Sequence, residues 1–249
     1  MQGWPEGVGR RVLASVDSTM AEGARLAPGL SGPEWVLALE QTAGHGRRGR
    51  AWSSPKGNFF ASLVLHPGEA PDQVALRSFV AALALRDALV AATGRADAFK
   101  LKWPNDVLLN GGKVAGILLE SVGTGQGVTH LIIGVGVNLV AAPGADQVEP
   151  GAVPPVSLLA ETGICISPEG FLDLLAAAYD HHERHFTTYG FAPIRTAWLR
   201  DAARLGETIT ARTTAETVTG RFETIDEAGN LILLTARGQR VIPAADIFF

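Results

Sequence analysis

The chain has 249 residues, 47% of them hydrophobic and 18% charged, so it can bury a sizeable core and is not compositionally disordered. A formal net charge of −4 argues against nucleic-acid binding through bulk electrostatics. The single cysteine, Cys165, rules out an intrachain disulfide and fits a reducing cytoplasm. The opening MQGWPEGVGRR lacks an apolar signal core. The most hydrophobic segment, residues 74–92, is interrupted by Arg77, Arg86 and Asp87 and reads as a core helix, not a membrane span.

Residues 11–16 read as a short strand. Asp17-Ser18-Thr19 then offers N-cap chemistry for a helix over residues 20–26. The same hydroxyls and free N–H groups at a helix start can also hold a small polar ligand. Residues 34–40 and 58–66 are apolar runs that read as buried strands. Between them lies QTAGHGRRGRAWSSPK, with Gly44, Gly46 and Gly49 interleaved with Arg47, Arg48 and Arg50. Glycines permit positive φ and close approach to a ligand. Arginines supply a permanent charge and a planar fork suited to phosphate or carboxylate. The segment carries no hydrophobic period, so it reads as a loop on a rigid sheet, and a solvated basic turn is the competing reading.

Residues 71–93 read as one long helix. Phe99-Lys100-Leu101-Lys102-Trp103 alternates, placing Lys100 and Lys102 on one strand face. Pro104-Asn105-Asp106 breaks the run and residues 107–109 resume it. Asn110-Gly111-Gly112 is a turn, with the second glycine available for positive φ. Residues 113–120 and 130–139 form two apolar strands joined through the Gly-rich segment 123–127 as a hairpin. On the second, Ile132, Gly134, Gly136 and Asn138 share a face. Two same-face glycines leave a shallow trough, for a ligand or for a packed helix.

Residues 141–155 are Pro/Gly-rich and read as a surface loop. Ser167-Pro168-Glu169 opens a helix running to about residue 189, with serine as N-cap and proline in the first turn. Residues 191–203 form a further helix. His181, His182 and His185 read as solvated, because no HExxH arrangement accompanies them. From Gly206 the texture changes to short strands at 207–212, 218–225, 231–234 and 240–242, with a final helical turn over 243–247. This is the pattern of a small SH3-like barrel, too small to stand without docking. The expected domains are 1–203 and 204–249.

The Gly/Arg loop can wrap an anion. Lys100, Lys102 and Lys113 lie near turns and can neutralise phosphate. Asn105 and Asp106 offer oxygens for a hard cation such as Mg²⁺. No GxxxxGK[ST] occurs, and no GxGxxG lies between a strand and a helix. The residues alone define an anion or nucleotide site on a sheet.

Four segments carry a resemblance: GHGRRGRAW at 44–52, KWPNDV at 102–107, KVAGILLE at 113–120 and GVGVN at 134–138. In this order and spacing they resemble biotin protein ligases. The resemblance covers roughly residues 10–140, and the small C-terminal barrel also fits. It implies an α+β fold: a central mixed sheet with flanking helices, like the class II aminoacyl-tRNA synthetases, plus that barrel. It implies activation of biotin with MgATP to biotinyl-5′-AMP, then transfer to one lysine of a biotin carboxyl carrier domain, such as that of acetyl-CoA carboxylase. ATP and Mg²⁺ are the implied cofactors. The alternative is a lipoate ligase or octanoyl/lipoyl transferase on a related fold.

Carried over by position, Ser18, Thr19, Met20, Gln41, Gly44, His45, Gly46, Arg47, Lys113, Gly116, Gly134 and Gly136 resemble biotin contacts. Arg48, Arg50, Trp52, Lys102, Asn105 and Asn138 resemble the nucleotide side, with Trp52 and Asn138 at the adenine end. Asn105 and Asp106 are the implied metal ligands. Lys113, Arg47 and Arg50 are the implied catalytic groups. His45 stands where many members have arginine, and Met20 where asparagine is frequent. Strict alternation puts Lys113 and Gly116 on opposite faces, so a bulge, or a lysine reaching in from the turn, is required. Some members add an N-terminal DNA-binding domain. With a first strand near Arg11 there is no room for one, and no DNA partner is expected. Members often pair by extending the sheet, which makes a homodimer one expected assembly.

Overall fold

A computed structural model describes residues 3–124, 127–144, 148–149 and 151–249. A seven-stranded sheet has the order β1-β2-β3-β7-β6-β5-β4. Its strands are β1 Gly9–Leu13, β2 Glu34–Ala38, β3 Phe59–Leu65, β4 Phe99–Lys102, β5 Asp106–Leu109, β6 Gly112–Thr124 and β7 Gly127–Val137. β1 and β2 are parallel and the other neighbours antiparallel, so the sheet is mixed. The helices are α1 Thr19–Leu26, α2 Pro71–Ala75, α3 Arg77–Thr93, α4 Leu158–Thr162, α5 Pro168–Tyr189 and α6 Phe191–Arg200. This is the α+β fold expected.

The two sheet faces are used differently, and β3 shows why. Its sequence, FFASLVL, is buried throughout. Phe59 points to one side, where its ring meets Phe171 of α5 edge-on at 5.0 Å. Each such fully buried aromatic or aliphatic side chain stabilises the fold by about 1.5–3 kcal/mol. Val64 points to the other side. There α1 packs so closely that a Cβ on Gly23 would sit 3.2 Å from Val64 and 3.1 Å from Ile132. Most of the long helices cover the first face. The second is left partly open beside α1, and the site lies there.

A second, antiparallel sheet follows, in the order β11-β10-β9-β8-β12. Its strands are β8 Thr208–Arg212, β9 Thr217–Ile225, β10 Leu231–Thr235, β11 Gly238–Ile242 and β12 Asp246–Phe248. Trp103 Nε1 donates to the Gly229 carbonyl at 3.0 Å, joining this sheet to the first unit.

Several sequence expectations are corrected. The first strand is Gly9–Leu13, not 11–16, because its parallel register with β2 ends at Leu13 and Ala38. Val16 makes only an isolated bridge to Gln41. The helix expected over 71–93 is broken at Leu76, which leaves Arg77 buried between Glu69 and Glu183. In the turn at 110–112, positive φ falls on Asn110 and Gly111, not on the second glycine. The last residues form strand β12, paired with β8, instead of a helical turn. Helix α4, capped by Ser157, went unanticipated. Residues 125–126 of the expected 123–127 connection lie outside the described residues. Among the described residues no helix is long and apolar enough to cross a membrane.

Candidate active site

A cavity of about 550 Å³ opens between the sheet, the loop after β2 and the C-terminal strand β12. Its floor is the pair of strands β6 and β7, where Gly116 and Gly136 are partners, as are Leu118 and Gly134. A Cβ on Gly136 would lie 2.5 Å from the Trp52 ring. A Cβ on Gly134 would lie 2.5 Å from Met20 Sδ. The bare glycines therefore let Trp52 and Met20 approach the sheet.

The head of the trough is polar. Ser18 caps α1 by accepting from the Met20 N–H at 3.2 Å. Thr19 N–H donates to Gln41 Oε1 at 2.8 Å, and Thr19 Oγ1 donates to the same oxygen at 3.2 Å. Gln41 reaches α1 because Val16 and Gln41 bridge in parallel, bringing the end of β2 beside the helix start.

The opposite end is cationic. Lys113 Nζ lies 2.7 Å from one Asp106 oxygen, and Lys102 Nζ lies 3.6 Å from the other. Burial pushes the Asp106 carboxyl up, but Lys113 and Lys102 outweigh it and hold it below its ordinary value. Burial pulls Lys102 down, with Asp106 opposing. Lys113 joins Gly116 in one site through a bulge. Val107 pairs with Ala115 but Leu108 pairs with Lys113, so Val114 is the extra residue. The Lys113 Cε would then lie 3.5 Å from a Cβ on Gly116. Lys113 Nζ also sits 5.6 Å from the Trp52 ring centroid.

The Gly/Arg segment folds as a tight loop. His45 and Ala51 bridge, and Gly46 N–H donates to the Arg50 carbonyl at 2.8 Å. Positive φ falls on Arg48 and Gly49, so Gly44 and Gly46 are not needed for it. Gly44 is needed for space: a Cβ there would lie 2.8 Å from both Gln41 Nε2 and Ser54 Oγ. Arg47 is half-buried and its guanidinium reaches Asn105 Oδ1 at 3.4 Å and the Ala245 carbonyl at 3.5 Å. Burial lowers its pKa. Arg48 and Arg50 both pair with Asp246, at 2.6 and 3.0 Å. Burial pushes Asp246 up, but Arg50 and Arg48 outweigh it and hold it below its ordinary value. His45 faces Glu120 at 3.3 Å.

The cavity thus brings together Ser18, Thr19, Met20, Gln41, His45, Gly46, Arg47, Arg50, Trp52, Lys102, Asn105, Asp106, Lys113, Gly116, Gly134, Gly136 and Asn138. Gly44 packs behind it and Arg48 turns away to Asp246. Lys100 is exposed and outside it, whereas Lys102, two residues on, is buried and lines it, its Nζ 5.7 Å from the Phe249 ring centroid. Trp52 lies over Gly116 and Gly136 of the floor. Asn138 is buried just past the end of β7, donating to the Val156 carbonyl at 3.1 Å. Asp106 is occupied by two ammonium groups, and Asn105 donates its amide to the Ile117 carbonyl. Among the described residues no group of three His, Cys, Asp or Glu is placed to hold a metal. Asp246 and Glu149, which lies 3.4 Å from Arg50, are the groups that sequence reasoning missed. The one signal for Asp246 is a lone acid within the apolar ending AADIFF.

A glycine-floored trough, polar at one end and cationic at the other, closed by an arginine loop, is a site for joining an anionic tail to a phosphate. The sequence matches the family described as Biotin/lipoate A/B protein ligase family over residues 10–138, and the Biotin protein ligase C terminal domain over residues 205–249. The chain belongs to the biotin/lipoate A/B protein ligase family. It is 60% identical over 238 residues to the biotin–[acetyl-CoA-carboxylase] ligase of Paracoccus denitrificans, spanning 96% of this chain and 99% of that protein. It is 35% identical over 216 residues to the bifunctional ligase/repressor BirA of Bacillus subtilis (strain 168), spanning 85% of this chain and 65% of that protein. Its fold matches the biotin protein ligase from Aquifex aeolicus in complex with biotin and ATP with a TM-score of 0.82. The identity there is 27%, over 96% of this chain and 97% of that one.

Proposed function

We propose that this protein is a biotin–protein ligase that acts on the biotin carboxyl carrier domain of acetyl-CoA carboxylase. The biotin carboxylate attacks the α-phosphorus of ATP and expels pyrophosphate, giving biotinyl-5′-AMP. The amine of an acceptor lysine then attacks the acyl carbon and expels AMP. The observation that carries this reading is the trough itself, with Thr19 and Gln41 at one end and Lys113 at the other. Biotin lies along it with its ring at the polar head and its carboxylate toward Lys113.

The first step brings two anions together, so the site must offset their repulsion in the transition state. Lys113, Lys102 and Arg47 supply the positive charge, and no protein nucleophile is needed. Asp106 holds the two lysines in place. Magnesium arrives on the nucleotide, as MgATP. Arg50 and Asn138 face the nucleotide, and Trp52 covers the glycine floor. The loop over 44–52 shields the mixed anhydride from water. Incubating the protein with labelled biotin, ATP and a carrier domain tests the reading, with lipoate in a parallel reaction. Label transfer from biotin alone supports it, and transfer from lipoate alone overturns it.

A further inference from the structure

Strand β3 contains one polar residue in an apolar run, Ser62, and it is 0% exposed. A buried hydroxyl in such a place is costly unless it is paired. Its partner is Thr19: Ser62 Oγ donates to Thr19 Oγ1 at 2.9 Å. The direction follows from the neighbours. Thr19 N–H can only donate, so the Gln41 atom it meets at 2.8 Å is the carbonyl oxygen. Thr19's hydroxyl gives its single hydrogen to the same oxygen, leaving its lone pairs to accept from Ser62. The Gln41 amide nitrogen is thereby turned the other way. One of its hydrogens goes to Ser54 Oγ at 3.3 Å, and Ser54 in turn donates to the Trp52 carbonyl at 3.1 Å. The other is left for a ligand. Thr19 and Gln41 line the cavity and Ser62 does not.

We infer that Ser62 is a positioning residue: through Thr19 it locks Gln41 as a hydrogen-bond donor to the ligand, which selects the ureido carbonyl oxygen of biotin. The inference rests on the biotin reading above. Ser62 has room for this because the facing residue, its register partner on β7, is Gly134. The same chain ends at Trp52, so the ligand head and the covering loop share one set of hydrogen bonds. Without Ser62 the Thr19 hydroxyl is free to rotate, and its hold on Gln41 weakens.

The test uses two ligands and two variants. 2-Iminobiotin carries N–H donors where biotin has its carbonyl oxygen. Adenylate formation is measured with each ligand for the wild type, Ser62→Ala and the near-isosteric Ser62→Cys. The wild type is expected to prefer biotin by at least about tenfold, the value of one well-placed hydrogen bond to a locked donor. Ser62→Ala is expected to raise the KM for biotin roughly tenfold, leave kcat and the KM for ATP within about twofold, and shrink the preference over 2-iminobiotin. Ser62→Cys falls between. A loss of melting temperature with an unchanged ligand preference means that the hydroxyl is structural only, and overturns the inference. Equal use of both ligands by the wild type overturns it whatever the variants do. A wild type that adenylates neither biotin nor 2-iminobiotin sinks the functional reading and this inference together, whereas a normal wild type with indifferent variants sinks this one alone.

Discussion

Lys113→Ala separates chemistry from stability at the cationic end of the trough. Lys113 Nζ lies 2.7 Å from Asp106, whereas Lys102 is at 3.6 Å. Both lysines hold the buried Asp106 carboxyl below its ordinary value against the upward push of burial. Removing the nearer one leaves that carboxylate with a single, longer partner. The expected stability cost is about 1–3 kcal/mol, the penalty of an under-satisfied buried group. At roughly 2–4 °C per kcal/mol for a chain of this size, a melting scan resolves it. The chemical cost is separate. Losing one preorganised charge stabiliser lowers adenylate formation by a factor of about 10²–10³. Adding Asp106→Asn to Lys113→Ala removes the orphaned charge, so stability returns and activity does not. Biotinyl-AMP is measured by single-turnover chromatography with pyrophosphate release as a check. A folded Lys113→Ala protein with near-normal adenylate synthesis would refute the assignment, and an unchanged melting temperature would refute the ion-pair argument.

Asp246→Asn is expected to free Arg48 and leave Arg50 with Glu149 alone, so trypsin should cut the loop faster than in the wild type. Asp246 is held below its ordinary 3.8 in the fold, so its stabilisation is present above that value and lost as pH falls through the folded pKa. The acid limb of the melting curve should therefore flatten in Asp246→Asn, and an unaltered limb counts against the pairing. Gly136→Ala places a methyl group 2.5 Å from the Trp52 ring. The ring must move, at about 1–3 kcal/mol, and calorimetry should show weakened biotin binding in a folded protein. Arg47→Gly removes the contacts to Asn105 and Ala245 that seat the loop. It should lower biotin affinity and release biotinyl-AMP, seen as labelling of bystander lysines; clean transfer to the carrier alone would make the loop passive.

Local patterns carried much of this protein. The cap at Ser18, the Ser167-Pro168 helix start and the strand alternation at 132–138 follow from near-neighbour chemistry, and the fold has each of them. The glycine trough was legible because period 2 is a backbone property that needs no partner. Side-chain partners brought from far along the chain were not. No pattern near Arg48 points to Asp246, 198 residues away. Strict alternation would have put Lys113 and Gly116 on opposite faces, and only the register between β5 and β6 places the bulge at Val114. Nor did any local pattern show that Asn105 would donate its amide to Ile117 and accept from Arg47, or that Asp106 would face two lysines. Ser62 lies in an apolar strand, and its partner Thr19, which α1 lays across the same face, is 43 residues away in the chain. Sequence determined the helix caps and, in strands without a bulge, which residues share a face. Tertiary structure decided which charges and hydroxyls meet across elements, because those pairings depend on sheet register and on how the second sheet docks.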